Sequence, residues 1–150
     1  MDKKFLEKHR YLIGYLDGVT SLASMTSENL TYDEFTIYLF PSEDPLGEFQ
    51  KFFKLKEIPV KGEDLDCDLL TKLKEWIGDN DHDKKIAEDT AWLFHRKVGD
   101  PKRIYELEND EKIREKLEGS KGWGPYYNLI GLFFAEYEDY TIAFFDGDNE

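Results

Sequence analysis

Hydrophobic positions recur in helical steps through most of the chain and change to a β-like pattern near its end. Residues 3–19 place Phe5, His9, Leu12, Leu16 and Val19 at three- and four-residue spacings, which predicts an amphipathic helix ending near Asp17-Gly18, with a strand over 11–16 as the alternative. The run 35–40 is rich in β-formers and stops at Pro41, yet Thr31 and Glu34 are spaced as a capping box, so strand and short helix both fit. Asp44-Pro45 reads as an N-cap and first helical residue, and Leu46, Phe49, Phe52 and Phe53 then form one stripe to about Leu55.

An extended connection is expected over 56–63, where Pro59 and Gly62 interrupt the pattern. Leu65, Leu69, Leu70, Leu73, Trp76 and Ile77 predict a helix closed by Gly78. An acidic loop over 79–83 is expected next, then a helix through Ile86, Thr90, Leu93, Phe94 and Val98 to Gly99. Asp100-Pro101 predicts another short helix, and Asn109 or Asp110 restarts one carrying Ile113 and Leu117 to Gly119.

Beyond the turn at 122–125, residues 126–137 and 140–145 are aromatic and apolar and are separated by Glu138-Asp139. A two-residue turn there pairs Ala135 with Ile142 and Phe133 with Phe144 on one face. Phe134 with Ala143 and Leu132 with Phe145 fall on the other. Both faces are apolar, so helices, further strands or a second copy of the chain must cover them. A helix over 129–137 competes, because Leu129, Ile130, Phe133, Phe134 and Tyr137 also have helical spacing. The fold expected is α+β, one domain over 1–150, with several amphipathic helices and a C-terminal antiparallel hairpin in a small sheet; a mostly α fold is the alternative.

Composition adds that the 150 residues are 40% hydrophobic and 15% aromatic, enough for a core and against disorder. No apolar stretch approaches the roughly 20 residues of a membrane span. Met1-Asp2-Lys3-Lys4 leads into no signal-type apolar run, and Cys67 is the one cysteine, so a reducing cytoplasm is the expected location.

Charge changes the picture more. Twenty bases against 33 acids give −13, which disfavours direct binding to nucleic acid or to anionic lipid. Residues 11–50 carry seven acids and no base, and 123–150 carry six acids and no base. Those two segments also hold 16 of the 23 aromatics, so side by side they would make an acidic, aromatic-bearing face for a basic partner.

No catalytic constellation is legible. His9, His82 and His95 include no pair at zinc-site spacing, and His9 and His95 read as partly buried structural residues. The acidic runs 64–68 and 79–83 lack the glycine a calcium loop needs at its sixth position and read as helix-capping acids; no metal or cofactor is expected. Asp66 and Asp68 flank Cys67 and disfavour its thiolate.

These features predict an acidic binding protein that neutralises a basic protein, in the manner of immunity proteins and antitoxins that cover the cationic site of a nuclease. Asp33, Glu34, Glu43, Asp44, Glu136, Glu138, Asp139, Asp146 and Asp148 are the expected charge partners, with Trp123, Tyr137 and Tyr140 as aromatic anchors. A small enzyme or small-molecule binder with a carboxylate-lined pocket, and a homodimer joined through the hairpin, are the alternatives.

Overall fold

A computed structural model describes residues 3–26, 34–77, 81–108, 110–117 and 128–148. Among them the elements run α1 (Lys3–Lys8), α2 (Arg10–Thr26), β1 (Glu34–Pro41), α3 (Pro45–Phe53), β2 (Lys61–Asp64), α4 (Leu69–Ile77), α5 (Asp81–Val98), β3 (Arg103–Leu107), α6 (Asp110–Leu117), β4 (Asn128–Glu136) and β5 (Tyr140–Asp148). The strands form one antiparallel sheet in the order β1-β5-β4-β3-β2, and the fold is α+β.

The hairpin sets the sheet. Tyr137 N donates to Tyr140 O at 2.8 Å, which closes the two-residue turn and fixes the register. Ala135 pairs with Ile142, Phe133 with Phe144, Phe134 with Ala143 and Leu132 with Phe145, the pairing the sequence predicts. Successive side chains point to opposite faces, so both faces are apolar. On one, Leu39, Ile104, Phe133, Ala135, Ile142 and Phe144 pack with Leu16 of α2, Leu69 and Leu73 of α4, and Ala87 and Phe94 of α5. On the other, Phe40, Tyr105, Phe134, Ala143 and Phe145 meet Phe49 and Phe53 of α3 and Ile113 of α6. Of the coverings the sequence allows, it is this chain's own helices that pack on both faces.

Helix α3 begins as its sequence predicts. Asp44 Oδ1 accepts from Gly47 N at 3.1 Å, Pro45 fills the first turn, and Lys54 ends the helix in the left-handed conformation at φ 55°. A Cβ on residue 47 would overlap the Asp44 carboxylate, so glycine makes room for the cap. Asp44→Ala is expected to cost about 1 kcal/mol, a fall of about 2–4 °C in melting temperature, read by circular dichroism.

Several expectations are corrected. The first helix does not end at Asp17-Gly18: α2 continues to Thr26, and the irregularity falls instead at His9, between α1 and α2. Two open alternatives also close: residues 34–41 form strand β1, and 128–136 form strand β4, the hairpin reading over the competing helix. Helix α4 starts at Leu69, not Leu65, because Asp68 caps it, its Oδ1 accepting from Thr71 N at 2.8 Å. Helix α5 begins at Asp81, inside the run expected to be a loop.

Asp100-Pro101 opens no helix. It leads into strand β3, whose adjacent Ile104 and Tyr105 are buried on opposite faces of the sheet. His95 is exposed, not partly buried, and its Nδ1 lies 2.9 Å from Asp100 Oδ1. The turn at 122–125, and with it Trp123, lies outside the described residues, as do Asp33 and the helix-closing Gly78 and Gly119.

Candidate functional site

The acid-rich segments 11–50 and 123–150 meet in the sheet, where β1 pairs with β5 along its whole length. Register then divides the acids on and beside β1 and β5 between two ends. Pro41 lies opposite Tyr140, so the corner between β1 and α3 sits against the hairpin turn. Glu34 lies opposite Gly147 and Phe35 opposite Asp146, with Asp148 close by, at the other end, about 23 Å away for seven residues of strand.

Ser42 fastens the first end. Its amide donates to Asp139 O at 3.1 Å, and its hydroxyl donates to Tyr137 O at 3.0 Å and lies 3.0 Å from Thr141 Oγ1. Glu43 and Asp44 follow directly, and Glu48 stands one helical turn beyond Asp44. With Glu138 and Asp139 of the hairpin turn they line one cleft of about 530 Å³, closed on its third side by Lys4, Phe5, Lys8 and His9 and edged by Pro41. Five carboxylates and two lysines therefore face one opening.

Bases from elsewhere in the chain temper this charge. Lys8 pairs with Asp139 at 3.1 Å, Lys51 with Glu48 at 3.3 Å, and Lys102 with Glu138. The Lys8 and Asp139 side chains are both more than half exposed, so their pair is worth roughly 0–1 kcal/mol and can exchange for a better partner.

Beneath the cleft runs a ladder of rings. Phe5 and His9 have centroids 4.4 Å apart, His9 and Tyr140 5.2 Å, and Tyr140 and Tyr137 5.1 Å. His9 is only 9% exposed, and its Nε2 has no hydrogen-bond partner among the described residues. Burial holds its pKa below the usual imidazole range, Lys8 pushes the same way, and Asp139 opposes them. The unfolded chain thus takes up this proton at a higher pH than the folded one. The stability contributed is full above the ordinary imidazole value and is lost as pH falls through the folded value. Wild type is expected to lose more unfolding free energy than His9→Phe between neutral and mildly acidic pH, as read by urea denaturation at each pH; parallel losses would contradict a buried neutral imidazole.

Of the residues predicted for partner binding, Glu43, Asp44, Glu138 and Asp139 come together on the cleft. Glu136 ends β4 and bonds Arg103 at 3.2 Å. Tyr137 is 5% exposed, a core residue whose hydroxyl has no partner among the described residues and whose pKa burial raises, and Tyr140 is half-buried in the ring ladder. The positions of Glu34, Asp146 and Asp148 are known at the level of strand register. Sequence reasoning missed Glu48, although its spacing from Asp44 on a helix announced by Asp44-Pro45 places the two on one face. It also missed the α1 wall, because His9 reads as an ordinary core position.

A second cleft, of about 460 Å³, gathers Asp64, Asp66, Cys67, Asp68 and Asp100 with Lys102 and Arg103. Its aspartates are largely committed: Asp64 to Lys61 at 2.6 Å, Asp68 to the cap of α4, and Asp100 to His95. The Cys67 thiol is pushed up chiefly by burial, with Glu75, Asp68 and Asp66 adding to it. No helix among the described residues is long and apolar enough to cross a membrane. In comparisons with known proteins the chain matches no family model, no curated protein and no solved structure.

Proposed function

We propose that this protein binds a basic protein through the acidic cleft between α1, the β1–α3 corner and the β4–β5 turn, neutralising that partner as immunity proteins and antitoxins do. The observation that carries the reading is convergence: segments some ninety residues apart in sequence deliver Glu43, Asp44, Glu48, Glu138 and Asp139 to one opening that holds two lysines. An excess of carboxylate over lysine around the cleft draws in a cationic surface and speeds encounter. Exposed, exchangeable pairs such as Lys8–Asp139 let the partner's bases replace the chain's own. A reducing cytoplasm is where a chain with the single thiol Cys67 would act.

Affinity capture from the native host at low and at high salt tests this. Basic proteins are expected to be retained by wild type at low salt, released at high salt, and not retained by Glu43→Gln/Glu138→Gln/Asp139→Asn. Retention of acidic or neutral proteins alone, or capture indifferent to salt, contradicts it.

A further inference from the structure

We infer that the cation this cleft takes is the guanidinium of an arginine side chain in preference to a lysine ammonium; the inference rests on the reading that the cleft binds a basic partner. Carboxylates alone attract either cation. What discriminates is the wall opposite them, where the tilted Phe5 and His9 rings lie 4.4 Å apart and line the cleft together with the acids. Guanidinium is planar and weakly hydrated, so it stacks on rings while its edge donors reach carboxylates. Ammonium is compact, strongly hydrated and gains less from a ring.

His9 adds a second, independent requirement. It is nine-tenths buried and lines the cleft, and its Nε2 has no partner among the described residues. Burial lowers its pKa and so favours the neutral imidazole, with one ring nitrogen a donor and the other an acceptor. An orphaned buried polar atom beside a binding cleft is a cost the free protein carries. A guanidinium has five N–H donors and no acceptor, enough to meet several of the cleft's carboxylates and an unpartnered imidazole nitrogen beside them. The charged groups that line the cleft with His9 are Lys4 and Lys8 from α1, Glu43, Asp44 and Glu48 from the corner, and Glu138 and Asp139 from the turn, of which Lys8 and Asp139 act on the imidazole most directly. They leave an excess of carboxylate for an incoming cation.

Titration of the full chain with hexa-arginine and with hexa-lysine at neutral pH and low salt tests the assignment, following affinity by calorimetry and the His9 imidazole signals by NMR. Hexa-arginine is expected to bind about fivefold or more tightly than hexa-lysine. The His9 ring signals should move with hexa-arginine far more than with hexa-lysine, and His9→Ala, its fold checked by melting, should reduce the preference to under about twofold. The wild-type NMR signals decide the matter if that variant does not fold. Equal affinity for the two peptides, or His9 signals unmoved by hexa-arginine, overturns the arginine preference. Equal binding that Glu43→Gln/Glu138→Gln/Asp139→Asn still weakens leaves the acidic cleft standing without it; failure of both peptides to bind overturns the cleft reading as well.

Discussion

Phe144→Ala is expected to remove about 3–5 kcal/mol of unfolding free energy, measured by urea denaturation. Phe144 is fully buried on β5. It stacks on Phe133 at 4.5 Å with the rings nearly parallel, and lies 5.8 Å from Phe94 of α5. Truncation loses the transfer free energy of the ring and leaves a cavity between hairpin and helix layer that neighbours anchored on β4 and α5 cannot easily fill. Against a total of roughly 5–15 kcal/mol for a domain, that loss approaches the folding limit. Trp92→Ala is the matched control: Trp92 is 56% exposed and meets Arg96 in a cation–π contact, and its removal should cost about 0.5–1 kcal/mol. A Phe144→Ala loss no larger than that of Trp92→Ala would mean that β5 is not central to the core.

The second large effect concerns binding. Neutralising Glu43, Glu138 and Asp139 together should weaken a basic partner about 10- to 100-fold at low salt, at roughly 0.5–1 kcal/mol for each exposed charge pair. Stability should change little, since among the described residues the Glu138 and Asp139 side chains pair with exposed lysines and Glu43 has no ion-pair partner. The loss should fall mainly on the association rate and shrink as salt rises, because these charges sit at an open mouth. Neutralising Glu34, Asp146 and Asp148 at the far end of the strands should alter affinity less than about twofold at about 0.1 M salt, where the Debye length of about 10 Å is shorter than the seven residues of strand between them and the cleft. Surface plasmon resonance on the two triple variants reads both effects.

How far this was legible beforehand differs from element to element. The hairpin register could be read because a two-residue turn leaves one pairing, and every slip by one residue exchanges the faces. Helix α3 could be read because Asp44-Pro45 states both its cap and its first turn. Strand β3 could not. Its five residues bury Ile104 and Tyr105 toward opposite faces, so it lacks the alternation of a half-buried strand, while Asp100-Pro101 mimics a helix start.

The cleft was legible in part. Segment charge showed which acids were unopposed nearby in sequence, and pairing of β1 with β5 brings those segments together. Local counting could not show that register sends Glu34 and Glu43 to opposite ends. Nor could it show that Lys8 would meet Asp139 from 131 residues away, or that Lys102 would reach Glu138. Tyr137 looked like an interface anchor because tyrosine is amphipathic, yet its place just before the turn buries it.

The most direct test of the cleft is a map of backbone amide shifts on adding hexa-arginine to the full chain. The account predicts the largest changes at residues 4–9, 41–48 and 137–140. Changes centred instead on residues 64–68 and 100–103, or on the strand ends at 34 and 146–148, would contradict it.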